Sequence, residues 1–347
     1  MKRGLLWTVA TVLVVSIAIA AALLLDTLYR APAGPGGEPV RVTVERGRPF
    51  AAVVRQLSDS GLVRRPRIFN WYAVLRGFDR AVDVGTYEFA AGERPIDILR
   101  RLVAGDVLKV SVTVPEGFQI WEIAGAVGAR AGIDSSGFVS YVSDSGTVAR
   151  YGVAAPSLEG YLFPDTYLVP WLVADSTLVR VMVSRLRAVW NGLLDTIPVP
   201  GGMDMHEVLT LASIIEAEAR LPGERALVSA VYHNRLARGM KLEADPTVAY
   251  AMGGYRGRLL YEHLEIDSPY NTYRYPGLPP GPICSPGRAA IRAALLPDST
   301  CRALYFVARG DGSHIFSLTL KEHLSAVAAV RRQRARDMHN GRPGGQQ

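Results

Sequence analysis

The sequence is poor in cysteine, with only Cys284 and Cys301 in 347 residues. Two cysteines exclude a disulfide framework and a cysteine-rich zinc site, and they leave open either one bridge or two free thiols. The chain also lacks the Gly-x-Ser-x-Gly turn of serine hydrolases and the His-Glu-x-x-His helix of zinc proteases. Lone histidines such as His233 and His314 have no second ligand at a useful spacing, so no metal and no cofactor are predicted.

The sequence also lacks a clear excess of one sign of charge in the part of the chain between its two ends. The net charge is +7, but part of the excess lies at the two ends of the chain. No stretch interleaves aromatic and basic side chains in the manner of proteins that bind single-stranded nucleic acid. The sequence therefore predicts no nucleic-acid partner.

The first feature that is present is an uncharged apolar run at residues 5–25, long enough to cross a bilayer as a helix. Lys2 and Arg3 precede it, which predicts residues 1–4 in the cytoplasm and everything after the run outside, in a single-pass protein of the cell inner (plasma) membrane. A cleaved signal peptide is the alternative, since Ala18-Ile-Ala20 is typical of a cleavage site. The length of the run favours an uncleaved anchor, followed by a Pro/Gly-rich linker at residues 26–39.

The rest of the chain predicts an α+β fold in two parts, as its length favours. Residues 40–107 carry strand and helix patterns in the order β-α-α-β, closed by a short helix, which is similar to a LysM-like module that binds peptidoglycan glycan. A small spacer domain without a ligand is the alternative. Residues 108–336 form a larger mixed α+β domain that we expect to be catalytic, and residues 337–347 form a disordered tail.

The centre of the larger domain is a helix predicted at residues 206–220, apolar almost all round and therefore buried. Two carboxyl groups, Glu216 and Glu218, lie at its C-terminal end and point about 200° apart, so one cleft holds only one of them. Helical periodicity does not choose between the two. A carboxyl in an apolar setting has a raised pKa and suits a general acid, whereas the alternative is that both glutamates pair with nearby arginines.

Seven motifs follow one another along the larger domain. They are LEGYLFPDTY at 158–167, LASIIEAE at 211–218, VYHNRL at 231–236, LEADPTV at 242–248, SPYNTY at 268–273, GLPPGPI at 277–283 and LYFV at 304–307. In the same order, they resemble those of the endolytic murein transglycosylases of the YceG-like family. The resemblance covers about residues 40–330, and the preceding anchor and the LysM-like module also agree with the family. One departure is Ser285, where Asn is expected before Pro286-Gly287.

The resemblance implies a lyase that cleaves nascent peptidoglycan glycan strands to 1,6-anhydro-N-acetylmuramyl ends and so terminates strand elongation. It assigns the catalytic role to the first glutamate of the Glu-x-Glu pair, Glu216, and leaves Glu218 to orient a neighbour or pair with an arginine. One carboxyl group suffices for this chemistry because the 6-hydroxyl of the sugar is an intramolecular nucleophile. A hydrolase needs a second carboxyl group, for which Glu159 is the candidate.

Several further residues are expected to bind the glycan. Aromatic faces and polar tips in the 268–273 loop suit a sugar chain, although packing of this loop onto the core is the alternative. Expected partners are glycan strands, the inner membrane and peptidoglycan synthases. A non-catalytic, membrane-anchored glycan-binding scaffold for wall-synthesis enzymes is the alternative function. The expected substrate-binding residues are Tyr270, Asn271, Thr272, Tyr273, Asn234, Glu159 and Glu218.

Overall fold

The structure is a computed structural model that describes residues 2–32 and 37–339. It is a mixed α+β fold, which confirms the predicted class. The chain divides into two compact units. The first comprises Met1–Ser111 with Leu168–Val173, and the second comprises Val112–Tyr167 with Ala174–Gln347.

The N-terminal helix α1, Lys2–Tyr29, carries the predicted apolar run on an exposed surface. Its segment Gly4–Tyr29 is the one helix in the described ranges that is long and apolar enough to cross a membrane. The helix continues through residues 26–29, which the sequence assigned to the linker, because its last turn packs into the first unit. There Leu28 is buried and Arg65 pairs with Asp26. Residues 33–36 of the predicted linker lie outside the described residues.

The first unit has one antiparallel strand pair, β1 with β2, in which Val40 lies opposite Phe89 and Val44 opposite Gly85. Alternation along both strands puts Val42, Tyr87 and Phe89 into a core that the apolar faces of the helices complete. The observed order agrees with the predicted one, and the likeness to a LysM module stays a prediction. The elements are β1 Val40–Val44, α2 Phe50–Asp59, α3 Pro66–Leu75, β2 Gly85–Phe89 and α4 Pro95–Ala104.

The division between the units differs from the predicted boundary after residue 107. Strands β3, Lys109–Thr113, and β4, Thr166–Pro170, pair in a second two-stranded sheet. The boundary between the units falls within each of these two strands. As a result, residues 168–173 are part of the first unit, although they lie far beyond residue 107 in the sequence. Linear patterns do not show this, because the two strands are separated by more than fifty positions in the sequence.

The second unit is built around α9, Met205–Glu218, whose residues from Val208 to Ile215 are all buried. Asp204 caps this helix, and Glu207 returns a hydrogen bond to the cap. Helix α12, Arg288–Leu295, packs along α9. A hairpin of β5, Tyr305–Ala308, and β6, His314–Ser317, pairs as predicted, with Phe306 opposite Phe316. Its elements are α5 Ile120–Ala131, α6 Ser135–Val142, α7 Ser145–Arg150, α8 Asp175–Leu194, α9 Met205–Glu218, α10 Arg225–Leu236, α11 Asp245–Ala251, α12 Arg288–Leu295, β5 Tyr305–Ala308, β6 His314–Ser317 and α13 Leu320–His339.

The chain end differs from the sequence prediction over a few residues. Helix α13 runs to His339, so residues 337–339 of the predicted tail are helical. Residues 340–347 lie outside the described residues. The prediction of disorder there stays a prediction.

A buried arginine connects α10 to two neighbouring segments. Arg235 donates to the carbonyl oxygens of Leu304 at 2.7 Å and Leu242 at 2.9 Å, and its charge pairs with Glu243 at 3.0 Å. Its guanidinium also lies over the ring of Tyr305. A planar group with several donors is needed to satisfy all these partners at once.

We therefore expect Arg235→Lys to destabilise the second unit, since a lysine leaves buried carbonyl groups without donors. The free energy of unfolding should fall by about 2–4 kcal/mol. Chemical unfolding of the full chain in detergent measures it. Arg238→Lys, on the exposed side of the same helix end, should change it by less than about 0.5 kcal/mol. Equal effects of the two variants would contradict the assigned role.

Candidate active site

Glu216 lies at the C-terminal end of α9, and its side chain is only 7% exposed. Its Oε2 accepts the backbone N–H of Gly287 at 3.0 Å, and its Oε1 pairs with Arg225 Nη2 at 3.3 Å. Gly287 is the residue that precedes α12. A backbone donor and a cation thus hold the Glu216 carboxyl group in one orientation.

Glu218 occupies different surroundings, as the helical angle predicts. Tyr232 donates its hydroxyl to Glu218 Oε1 at 3.4 Å. Burial, and then the negative charge of Asp245, raise the pKa of Glu218 to about 8. The raised pKa that the sequence predicts for a carboxyl on this helix is therefore found at Glu218. Arg235, one of the nearby arginines on the following helix, pairs with Glu243 and not with Glu218.

The carboxyl group beside Glu216 is Glu116, which sequence reasoning missed. It lies in the loop between β3 and α5. This loop pairs with residue 285 through two backbone hydrogen bonds, from Gly117 N to Ser285 O at 2.9 Å and from Ser285 N to Phe118 O at 2.8 Å. Burial raises the pKa of Glu116, as does the charge of Glu216, while Arg225 opposes the rise. The available signal was an acidic residue beside glycine in a strand-to-helix loop.

Glu159, the predicted second carboxyl group, lies at the N-terminus of α5. Its Oε2 accepts the N–H of Ile120 at 3.2 Å, and its Oε1 is buried without a partner among the described residues. Burial raises the pKa of Glu159 to about 8. Glu159 thus accepts a hydrogen bond from the first residue of a helix. The carboxyl group that lies next to Glu216 is that of Glu116 and not that of Glu159.

Two of the loop residues predicted to bind glycan are fully buried. Asn271 donates its amide to the carbonyl oxygens of Leu264 and Ile266, at 2.8 and 2.9 Å, and Thr272 Oγ1 accepts the N–H of Ala244 at 3.0 Å. Their polar atoms hold the loop in place and are not free for a ligand, which corrects the expected direct contact. The alternative of a packed loop therefore applies to these two positions.

Tyr273 and Asn234, two more of the predicted binding residues, also have protein partners. Tyr273 donates its hydroxyl to Asp245 at 2.6 Å, beside Glu218. Asn234 donates to the carbonyl oxygens of Cys301 and Ala303, at 3.1 and 3.0 Å. Asn234 thus connects α10 to the segment before β5, a structural role that the sequence pattern did not reveal.

Tyr270 belongs to a row of three aromatic rings. Tyr250 lies between the other two, with its ring centroid 4.9 Å from that of Tyr270 and 5.9 Å from that of Trp121. Trp121, at the start of α5, is 41% exposed. A partly exposed indole supported by two tyrosines is a surface on which a sugar ring can stack. No sequence pattern groups these rings, because they come from three separate segments.

The cysteines and Ser285 complete the neighbourhood. Cys284 and Cys301 are free thiols, and Cys284 is buried against the Ser213 carbonyl oxygen. Ser285 is fully buried, and its hydroxyl has no partner among the described residues. Within the described ranges, no group of three or more His, Cys, Asp or Glu is arranged to hold a metal ion.

Comparison with known proteins gives one family. The model of the YceG-like family matches residues 42–329. An endolytic murein transglycosylase of Bacillus subtilis is 33% identical over 306 residues, which cover 83% of each protein. One from Streptococcus pneumoniae strain D39 is 30% identical over 83% of this chain, which spans 58% of that longer relative. The crystal structure of a yceG-like protein from Listeria monocytogenes matches with a TM-score of 0.57 and 30% identity, over 83% of this chain and 99% of that one.

The raised pKa of Glu159 predicts how the free energy of unfolding depends on pH. The folded chain keeps this proton up to about pH 8, whereas the unfolded chain releases it near the ordinary value of 4.5. The free energy of unfolding therefore falls as pH rises through this window, with a contribution of about 1.4 kcal/mol per pH unit. Glu159→Gln should remove that contribution, so its stability relative to wild type should improve as the pH rises.

Chemical unfolding of the full chain in detergent, between about pH 5 and about pH 8, measures the difference. Glu262→Gln, at a side chain 75% exposed, is the matched control and should run parallel to wild type. A Glu159→Gln profile that is also parallel to wild type would contradict the prediction.

Proposed function

This chain belongs to the YceG-like family, and we propose from that membership that it is an endolytic lytic transglycosylase of peptidoglycan. It is a lyase that cleaves nascent glycan strands and leaves 1,6-anhydro-N-acetylmuramyl ends, which terminates their elongation. The structural observation that carries the proposal is Glu216, a buried carboxyl group held by the Gly287 N–H and by Arg225 at the end of the central helix.

Glu216 first acts as the acid. It transfers its proton to the glycosidic oxygen while the bond from that oxygen to the anomeric carbon breaks, which leaves positive charge on the sugar ring. The ring is attacked by its own 6-hydroxyl oxygen. The Glu216 carboxylate then takes the proton of that hydroxyl. No water is consumed, and the enzyme ends the cycle in the protonation state in which it began.

This reaction needs no carboxylate nucleophile. An intramolecular hydroxyl group acts at a very high effective concentration, so the protein has only to hold the sugar and move one proton. The anchored Glu216 carboxyl group suits this role because the same group must face the leaving oxygen and then the 6-hydroxyl. The Gly287 N–H stabilises its carboxylate form between the two transfers.

The aromatic row of Trp121, Tyr250 and Tyr270 supplies the surface for the glycan strand. Its exposed member, Trp121, begins the same helix that follows the Glu116 loop. Stacking of a sugar ring on the indole positions the strand without requiring free polar groups. Tyr270 supports the row, while Asn271, Thr272 and Tyr273 fix the loop that carries it.

The first unit provides location. Its α1 helix anchors the protein in the inner membrane, with the N-terminus in the cytoplasm and the chain after the apolar run on the outer side. Its folded part acts as a LysM-like module that binds glycan. Close to the membrane the enzyme meets strands as they are made, so peptidoglycan synthases are its expected partners. The non-catalytic scaffold has no observation in its favour, since the relatives carry the names of enzymes.

We expect Glu216→Gln to abolish cleavage, because the amide keeps the shape of the side chain but has no proton to transfer. Activity should fall at least about 100-fold. Mass spectrometry of products from glycan strands incubated with the full chain in detergent measures both rate and chemistry. Wild type should yield 1,6-anhydro ends. Glu207→Gln, on the same helix in a cap that glutamine also satisfies, is the matched control.

Three other outcomes would change the catalytic residue or the function that we assign. If Glu218→Gln abolishes cleavage and Glu216→Gln does not, the catalytic group is the second glutamate of the pair. Reducing ends in place of anhydro ends would identify a hydrolase. Binding of strands by wild type without any cleavage would favour the scaffold.

For the aromatic row, we expect Trp121→Ala to raise KM about tenfold with little change in kcat, because the stacking surface is lost while Glu216 is untouched. Initial rates at several strand concentrations measure the two constants separately. Trp121→Phe keeps a flat ring and should restore most of the loss. A fall in kcat with unchanged KM would contradict a binding role.

A further inference from the structure

Two carboxyl groups from distant parts of the sequence contact one glycine. The N–H of Gly287 donates to Glu216, and a Cβ at position 287 would overlap the Glu116 carboxyl group and lie 2.7 Å from its Cγ. Glu116 therefore fills the space that any larger residue at 287 would need. On the other side, a Cβ at Gly117 would lie 3.9 Å from Glu216 Cγ. The exposed Glu116 thus stands directly beside the buried Glu216.

The backbone maintains this arrangement. The Glu116 loop and residue 285 are joined by two hydrogen bonds, Gly117 N to Ser285 O and Ser285 N to Phe118 O. Those bonds hold the loop against residue 285, one residue before the extended Pro286-Gly287 segment that leads into α12. Gly287 itself has φ −76° and ψ 169°, which any residue can adopt. The absence of a side chain there is explained by the Glu116 carboxyl group and not by backbone conformation.

We propose that Glu116 is a positioning residue that shares one proton with Glu216 and so keeps Glu216 able to act as the acid. This inference rests on the proposed function. Its role follows from a conflict in the environment of Glu216. The Gly287 N–H and Arg225 both favour the ionised carboxylate, whereas an acid has to carry a proton. A second negative charge at Glu116 opposes double ionisation, so the pair retains one proton.

The charged groups around the pair agree with this role. The pKa of Glu116 is raised, first by partial burial of its carboxyl group and then by the negative charge of Glu216. From α10, Arg225 pairs with Glu216 and also acts on Glu116. From the segment before α12, the neighbour is the Cys284 thiol, whose pKa is also raised. Arg288 and Arg292 on α12 are exposed. On α9, Glu218 belongs to the separate cluster with Tyr232 and Asp245.

The shared proton explains how one exposed carboxyl group helps a buried one. Before cleavage, the proton of the pair lies on Glu216 and passes to the glycosidic oxygen. After the sugar hydroxyl returns a proton to Glu216, the pair again holds one proton. Glu116 is exposed, so it exchanges protons with solvent and resets the pair when it loses its proton.

The first test is the pH dependence of kcat for Glu116→Gln, measured on glycan strands with the full chain in detergent. Glu116→Gln removes the negative charge that opposes loss of the proton held by the pair. The alkaline limb should move down by about one pH unit, and kcat at neutral pH should fall about tenfold, with KM unchanged. Glu116→Asp retains the charge and should restore most of the alkaline limb. Glu207→Gln should match wild type.

The second test is a double-mutant cycle that combines Gly287→Ala with Glu116→Ala. Gly287→Ala keeps the N–H that donates to Glu216, but its methyl group takes the position of the Glu116 carboxyl group. The displaced side chain is flexible and exposed, so the fold should be retained. Gly287→Ala alone should reproduce the shift of the alkaline limb. In a Glu116→Ala background the carboxyl group and Cγ that this methyl group would overlap are absent, so it should change kcat by less than about twofold. Gly125→Ala, in an open position of α5, is the control.

The outcomes separate this inference from the proposed function. If wild type forms no anhydro ends, the proposed function fails. If wild type is active but Glu116→Gln and Gly287→Ala keep the wild-type alkaline limb, only the role of Glu116 is overturned. Equal losses from Gly287→Ala in both backgrounds would also overturn it, since the effect would then not pass through Glu116. Melting curves of every variant show whether a loss of activity reflects unfolding.

Discussion

The packing of α9 inside the second unit is the constraint on which the site depends. A helix with eight consecutive buried residues can carry charge only at its ends, where solvent or fixed partners compensate it. Glu216 and Glu218 lie at that end and face opposite ways. One side meets the turn before α12, which supplies an N–H donor. The other side meets tyrosine and aspartate from α10 and α11.

The same unit contains several carboxyl groups removed from water, and each has a different compensation. Glu159 has a helix N-terminus and a raised pKa, Glu218 has a tyrosine hydroxyl and a raised pKa, and Glu216 has an arginine and a backbone donor. Glu216 lies beside the exposed Glu116, and Glu218 lies beside the exposed Asp245. A raised pKa therefore does not by itself identify the reactive group, since burial raises it at structural positions too.

The first unit shows how the apolar N-terminal helix is tied to a small domain. The last turn of α1 does not end in a free linker, because Leu28 enters the core and Asp26 pairs with Arg65. A small core gains from each additional buried side chain, since little apolar surface is available to it. The last turn of α1 is therefore a structural element of the first unit.

The sequence by itself determined the elements and the family: the apolar anchor, the strand and helix order of residues 40–107, the buried central helix and the opposed directions of Glu216 and Glu218. These follow from periodicity and composition, which are local properties. Only the tertiary structure decided which segments meet. Glu116 stands 100 positions before Glu216, Asn271 is buried within its own loop, and Thr272 is buried against residues 244 and 247. Periodicity reports which face of an element is covered, but the identity of what covers it is set by long-range packing.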